Sequence, residues 1–567
     1  MQRVDWQRIS LLVILAIAAW LRFYQLSSSD VISDEALIAF RSVGYVDYLA
    51  APNQPTTWER FDGPVPVWAY LSFHDHPPLA FAVQWLSFKF FGVNAFALRL
   101  PFALAGVASV YLIYLLVRKL FHDQAAFLAA LLVAASTPTV WISRLGLQES
   151  LLIFFSLLAV YWYRRALDNH RFLPAVGLTL GLGLLTKYTV LAVAVPLFIH
   201  FFIYRRDYLR LRTFWLGGAV FLLCALPLLI YNLMLYRLTG HFDLQLSYLF
   251  GQLPPEWQLL PGKMQIGTWP ERVAAYWGNL SQIFSPPLLA LVLLSLAAFA
   301  VLWFSSGAPE ASYTLLGLLT VSWGGMLLVI GPATRFLAPL AVWLLMITAV
   351  VVTALRTPFK PLRYLLGLFG AGMLAYELLF AVQTSLAARP AGMPGLAYSA
   401  ILRSDVEHWG YQQLDRYLVG VLAGTRPALQ PEVRHAFLKP LQERAEVKAQ
   451  ARGDQPTSLL IIYDANLYNL GALWTLHRRL VYDGWPVVTA DQFLNQGENT
   501  WRQRGVKEFL FVHLGGDVLG EPTEDRTDSA AKLATQLQGR GVPLGAVPSP
   551  RVGGVAFNVY RWGEGVL

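Results

Sequence analysis

Only one cysteine, Cys224, stands among the 567 residues, so no disulfide can form within the chain and a disulfide-stapled scaffold is excluded. Cysteine usage therefore says nothing about the redox compartment. Charge is scarce as well: Asp, Glu, Lys and Arg make up 14% of the residues, too little for a disordered polyelectrolyte. No repeating period and no low-complexity tract shows along the sequence, which sets aside solenoids, propellers and linker-like chains.

What is abundant is apolar surface. Hydrophobic residues account for 56%, with 19 Trp, 34 Phe and 25 Tyr, and the mean hydropathy is +0.47. Apolar runs able to span a hydrocarbon core of about 30 Å recur through the first two thirds of the chain. The formal charge of +9 would suit nucleic acid as a partner, but Arg and Lys gather at the ends of the apolar runs, as the positive-inside rule describes. A nucleic-acid partner is not expected. The first run, from about Ile9 to Leu26, follows Arg3 and Arg8 and has no small-residue cleavage site. It reads as a retained first helix with a cytoplasmic N-terminus.

Three apolar stretches are too long for one crossing; the first two have basic clusters at both ends, and the third is followed by Arg356, Lys360 and Arg363. Residues 124–163 carry Arg144 and Glu149 near the middle, 172–204 carry Lys187, and 311–355 carry Arg335. If the flanking clusters are cytoplasmic, each stretch crosses an even number of times, so each is a hairpin with its central charge at the outer turn. Single crossings are expected near 101–117, 213–235, 284–304 and 362–386. The total is about eleven helices, and an odd count places the C-terminus outside.

The expected fold is mainly α, a polytopic membrane protein with a C-terminal extracytoplasmic α/β domain. Residues 1–387 form the membrane domain, in which 27–98 is a long first outer loop. Within that loop "HDHPPLAFAVQWLSFKFFG" reads as a helix along the membrane surface, with Pro77-Pro78 at its first turn. Beyond residue 388 the chain becomes water-compatible. There "SLLIIYDA", "KEFLFVHLG" and "VAFNVYRW" read as short buried strands between helical stretches such as 405–422 and 527–539. Localisation follows: a multi-pass protein of the plasma membrane.

Ionisable residues concentrate where the outer turns fall. Asp34 and Glu35 stand side by side in "SDEALIAF", just past the first helix. Arg144, Glu149, Lys187 and Arg335 occupy hairpin turns, while His74, Asp75 and His76 lie in the first loop and Arg99 at its end. Taken singly, each reads as a snorkelling or loop residue. Taken together, they place acids and bases at one membrane face. Arg and Lys there can hold a phosphate, and a carboxylate beside it can take a proton from an attacking hydroxyl. Asp47, Glu59 and Asp62 read as solvated loop charges, and His241 is left open.

"SDEA", "DHPPLAF", "FALRLPFAL", "SRLGLQES" and "GLGLLTK" occur in that order over about residues 1–355. This set resembles the membrane glycosyltransferases of the GT-C class, nearest to protein O-mannosyltransferases and lipid A aminoarabinose transferases. The resemblance implies that Asp34 is a catalytic aspartate, with Glu35 beside it. It implies a substrate-binding role for His76, Glu149 and Lys187, to which the shared membrane face adds Arg99, Arg144 and Arg335. His76 takes a slot where the aminoarabinose branch commonly has lysine, and position 149 is Glu rather than Asp. The implied reaction is inverting transfer of a sugar from a polyprenyl-phosphate donor to a hydroxyl of an acceptor lipid, glycan or protein outside the cytoplasm. No cofactor is required by this reading, and a divalent metal ion is the one that the "HDH" spacing admits. Two other classes compete. A flippase for lipid-linked sugars would carry inverted repeats and charges at the midplane, and a non-catalytic scaffold would have no reason to gather acids and bases at one face.

Overall fold

The computed structural model describes residues 6–563 apart from 52–53, 253, 258–266, 306–310, 356–359, 432, 517, 523, 525 and 552. Arg356, counted above among the basic flanks of the third hairpin, lies outside the described residues. Two compact units emerge: Met1–Leu26 with Val67–Asp405, and Ser27–Pro66 with Val406–Leu567. The division falls after the expected one at 387, and it splits the first outer loop. Residues 27–66 go with the C-terminal domain because their apolar side chains are part of its core: Ile32 is buried among Tyr411, Leu459 and Phe557.

From the N-terminus the helices are α1 (Trp6–Phe23), α2 (Asp34–Gly44, in the second unit), α3 (Leu79–Phe91), α4 (Ala95–Leu120), α5 (Asp123–Ala135), α6 (Thr137–Ser143), α7 (Gln148–Asp168) and α8 (Leu173–Thr186). The series continues with α9 (Leu191–Tyr204), α10 (Arg212–Thr239), α11 (Leu244–Leu249), α12 (Trp269–Ile283), α13 (Pro286–Ser305), α14 (Ala311–Ile330), α15 (Thr334–Ala354) and α16 (Lys360–Ser385). Among the described residues, eight helices are long and apolar enough to cross a membrane, or up to nine if the bent α5–α6 pair is one span. The chain is a multi-pass membrane protein. The count falls short of eleven because α8 and α9, the arms of the second hairpin, have 14 residues each.

All three hairpins turn where the charges sit. Arg144 caps α6, Glu149 opens α7, Lys187 separates α8 from α9, and Arg335 is the second residue of α15. The basic loops lie at the other end of this unit. Lys119 pairs with Asp168 at 2.8 Å, Arg118 with Asp123 at 2.8 Å, and Tyr208 Oη donates to the carbonyl of Leu167 at 3.3 Å. Loops 118–124, 164–171 and 205–212 are therefore tied together, as alternating crossings require.

One crossing is not straight. α5 and α6 meet at 58°: Ser136 between them is extended (φ −69°, ψ 139°), and Pro138, the second residue of α6, has no N–H to donate back into α5. The break exposes polar backbone at both helix ends, and buried side chains satisfy it. Arg22 donates to the carbonyls of Ala134 at 3.0 Å and Val133 at 3.2 Å. On the other side, Glu377 accepts the amide and hydroxyl of Thr137 at 2.7 and 2.8 Å. Elsewhere the helices close up on small residues. A Cβ at Gly177 of α8 would lie 2.0 Å from the carbonyl oxygen of Gly217 on α10, and one at Gly181 would meet Cys224. Backbones packed this closely admit no larger side chain.

The second unit has a five-stranded sheet. β1 (Thr425–Pro427) and β2 (Gln455–Thr457) form a separate pair, while β3 (Leu459–Tyr463), β4 (Val487–Thr489), β5 (Glu508–Leu514), β6 (Leu544–Pro548) and β7 (Val555–Gly563) are ordered β4-β3-β5-β7-β6. β3 runs parallel to β4 and β5, and β7 is antiparallel to β5 and β6. The three strands expected from sequence are β3, β5 and β7. Their continuous apolar runs reflect burial on both faces: Leu459 and Ile461 face one core and Leu460 and Ile462 the other. Helices Tyr411–Val421 and Ser529–Gly539 cover them.

Candidate active site

In the membrane unit, the charged turns build a compact group from three helix ends. α8 ends at Lys187, whose extended backbone (φ −163°, ψ 136°) breaks the second hairpin. Lys187 Nζ donates to the Glu149 carboxylate in the first turn of α7, an end where a negative charge is favoured by the helix dipole. Lys187 Nζ also lies 4.2 Å from the ring centre of Phe336, and the Arg335 guanidinium 5.1 Å from the same ring. Both cations are thus held by cation–π contact at the start of α15. Leu152, Trp323, Met326, Phe336 and Pro339 line a narrow cleft shared with Glu149, Lys187 and Thr189. Two cations face one carboxylate beside an apolar wall, with the N-terminus of α15 adding positive potential. Such a place suits an anion carried on an apolar chain.

Two other sequence candidates have different occupations. Arg144 Nη1 donates to the carbonyls of Leu21 and Tyr24, both at 2.9 Å, and Arg144 Nη2 to that of Gln25 at 3.3 Å. Arg99 Nη1 donates to the carbonyl of Leu26 at 2.9 Å. Both guanidiniums are buried; Arg144 binds carbonyls at and just past the end of α1, where a helix leaves them unpaired, and Arg99 binds one three residues beyond it. Arg403 does the same for α16, donating to Gln383, Ala387 and Ala388.

His74, Asp75 and His76 precede α3. Asp75 stands between the imidazoles, with Oδ2 3.0 Å from His76 Nδ1 and Oδ1 3.9 Å from His74 Nδ1. Among the described residues, no group of three or more His, Cys, Asp or Glu side chains could hold a metal ion. His241, left open above, stacks edge-on against Trp257 at 4.6 Å, and His74 lies 6.1 Å from the same ring. A carboxylate that sequence reasoning missed sits two residues on. Asp243 is fully buried and accepts the hydroxyl of Tyr188 at 2.5 Å and the amide of Asn232 at 3.0 Å. Burial raises its pKa above the usual carboxylate value, against several hydrogen bonds that lower it. Nothing in the sequence marked it, because its partners lie 11 and 55 positions away.

Asp34 and Glu35 belong to the second unit, at the first turn of α2. Ser33 caps that helix, its hydroxyl accepting the amide of Glu35 at 3.4 Å, so the acid pair also complements the helix dipole. Glu35 is fully buried, and Asp34 is partly exposed. α2 is seated by Phe40 on Tyr482, with ring centres 5.4 Å apart, and Gly44 leaves no room for a Cβ against the same tyrosine. Just before α2, Asp30 accepts the amides of Trp409, Gly410 and Gln412 at 2.6, 2.9 and 2.8 Å. Burial nevertheless pushes its pKa up to about 6. Two loop acids expected in solvent are not there. Asp47 is buried and pairs with Arg41 at 3.5 Å, and Glu59 accepts the amide of Thr56 at 2.7 Å and lies 3.4 Å from His435. Both are drawn in because the C-terminal domain covers the loop that carries them. Asp62 is exposed, as expected.

Residues 75–231 match the family described as dolichyl-phosphate-mannose-protein mannosyltransferase. The mannosyltransferase-like protein YkcB of Bacillus subtilis is 34% identical over 131 residues, which is 23% of this chain and 18% of YkcB. YycA of the same organism is 29% identical over 202 residues, 34% of this chain and 27% of YycA. The chain thus spans well under two thirds of either relative. Its structure is similar to the crystal structure of ArnT from Cupriavidus metallidurans bound to undecaprenyl phosphate, with a TM-score of 0.53 and 14% identity over 98% of each chain. At that identity the likeness establishes the fold. The chain shares the fold of that ArnT structure, and the segment matching the mannosyltransferase family, residues 75–231, holds the Glu149–Lys187 pair.

Proposed function

We propose that this protein is a membrane glycosyltransferase that moves a sugar from a polyprenyl-phosphate donor to an acceptor hydroxyl on the extracytoplasmic side, with inversion at the anomeric carbon. The observation that carries the reading is the meeting of Lys187, Phe336 and Glu149 at one apolar cleft, with the Arg335 guanidinium 5.1 Å from the same phenylalanine ring. A polyprenyl phosphate has this chemistry: a charged head for the cations and a hydrocarbon chain for the wall. The family match and the mannosyltransferase-like relatives support the class of reaction.

The bond from the anomeric carbon to the phosphate oxygen breaks while the acceptor oxygen attacks from the opposite face. Asp34 takes the acceptor's hydroxyl proton as the new bond forms. Lys187 and Arg335 stabilise the negative charge that stays on the departing polyprenyl phosphate. Because Lys187 is already paired with Glu149, the phosphate either shares its three donors or displaces the carboxylate. Glu35, buried beside Asp34, orients the start of α2. His76, within the family-matched segment, takes a substrate-binding role.

The test is transfer of labelled sugar from a polyprenyl-phosphate donor in proteoliposomes made with the full-length protein. Donor-dependent labelling of an extracted acceptor pool supports the reading. Movement of intact donor across the bilayer without any transfer sinks it and leaves a transporter.

A further inference from the structure

Asp243, Asn232 and Tyr188 have no part in the reaction above, yet they form a closed hydrogen-bonded cluster next to Lys187 in the chain. Tyr188, the first residue after the helix break, donates to Asp243 Oδ2 at 2.5 Å. Asn232 of α10 donates to the same oxygen at 3.0 Å and accepts the Asp243 amide at 2.9 Å through Oδ1. Its Nδ2 lies 3.3 Å from the Tyr188 hydroxyl. The remaining oxygen, Asp243 Oδ1, accepts the amide of Leu246 at 2.9 Å and starts α11. The amide of Leu244 then donates to the carbonyl of His74 at 2.8 Å. The carboxylate thereby ties together the break after α8, helix α10 and the start of α11, and the adjoining Leu244 amide reaches the His74–Asp75–His76 turn.

Its hydrogen-bond partners are all neutral: a phenol, an amide and backbone N–H groups. A buried carboxylate without a cation is expensive to keep, and apolar side chains of similar volume would hold these helices together at lower cost. A satisfied polar network does something packing does not, which is to admit only one arrangement. What it orders here is the residue after Lys187. At the joint, the Lys187 amide donates to the Gly183 carbonyl at 2.8 Å and its own carbonyl accepts from Val190 at 3.2 Å. A rotation at this joint would swing the whole lysine side chain away from Glu149 and Phe336.

We propose that the Tyr188–Asp243–Asn232 cluster is a positioning device that locks the helix break so that the Lys187 ammonium is presented to the donor phosphate. The inference rests on the assignment of Lys187 to that phosphate. It makes Asp243 and Tyr188 positioning residues, not catalytic ones. A displacement of about 1 Å at a reacting group can cost on the order of a hundredfold, so loosening the joint shows in donor use before it shows in the fold.

The experiment uses the full-length protein in lipid nanodiscs, with undecaprenyl phosphate as the binding probe and labelled donor for kinetics. Tyr188→Phe removes the hydroxyl, and Asp243→Asn sets one amide against another. Each is expected to raise donor KM by about tenfold or more while acceptor KM changes by less than about twofold. The exchange Asn232→Asp with Asp243→Asn rebuilds one carboxylate and one amide in the same place. It is expected to return donor KM to near the parental value. Lys187→Ala is the reference. If Lys187→Ala loses donor binding while Tyr188→Phe and Asp243→Asn keep parental donor KM and show only a lower Tm, the cluster is structural and the positioning role is overturned. If Lys187→Ala itself binds undecaprenyl phosphate like the parent, the phosphate assignment fails and takes this role with it.

Discussion

Lys187 and Glu149 form an ion pair, their side chains only 9% and 2% exposed, that joins the break of one hairpin to the turn of another. Breaking such a pair from one side leaves the other charge buried and uncompensated, at a cost of about 3–5 kcal/mol. An anionic ligand can repay that cost at the lysine but not at the glutamate.

The two partners should therefore respond in opposite directions. Lys187→Ala is expected to weaken undecaprenyl phosphate binding by at least about tenfold, since a charge-assisted bond is lost. Glu149→Gln is expected to bind the same lipid more tightly than the parent while lowering the Tm of the unliganded protein. Titration calorimetry and thermal melts in one detergent check both. Equal loss of affinity in the two variants would make Glu149 a donor ligand instead of a stand-in for the phosphate.

Asp34 is expected to act on rate and not on donor binding. Asp34→Asn keeps the shape and the start of α2 but is a poor proton acceptor, so transfer should slow by about 10²-fold or more with donor affinity unchanged. Glu35→Gln should be milder. Steady-state transfer from labelled donor, with binding measured in parallel, decides the matter. Turnover near the parental rate in Asp34→Asn would remove the general base.

The arginines divide by what they hold. Arg144→Ala strips bonds from several carbonyls at the end of α1, each worth about 1.5–3 kcal/mol when the donor is charged. A large fall in Tm and expression is expected, with donor affinity of the folded fraction unchanged. Arg335→Ala should do the reverse. The comparison of Tm against binding for the two variants is the measurement, and exchanged outcomes would reassign them.

In the C-terminal domain, burial pushes His477 down from the usual 6.5 to about 4, with Tyr463 Oη 3.0 Å from its Nε2. The unfolded chain binds the proton first, so stability from the neutral ring is complete above pH 6.5 and is lost as pH falls from there towards 4. The full shift corresponds to about 3–4 kcal/mol at most. His477→Gln removes the titration and keeps a hydrogen-bonding side chain. The drop in Tm between about pH 7.5 and about pH 5 should be smaller in this variant than in the parent. An identical drop in both would show that His477 is not the group that titrates.

Much of this protein is written in one dimension. A membrane crossing is a run of apolar residues and a hairpin turn is a charge inside such a run, so the turns at Arg144–Glu149, Lys187 and Arg335 could be placed by counting. Buried parallel strands are likewise continuous apolar segments, which is why β3 and β5 were visible while the three-residue β4 was not. Other features depend on partners far apart in the chain. Only the tertiary structure sends residues 27–66 to the C-terminal domain, because Ile32 and Asp30 find their partners some 380 positions later. Only it assigns Arg144 and Arg99 to helix ends and Lys187 to Glu149. From the sequence, every buried arginine looks alike. What each one does depends on which carbonyl or carboxylate the fold leaves without a hydrogen-bond partner, and water inside a membrane is not there to supply one.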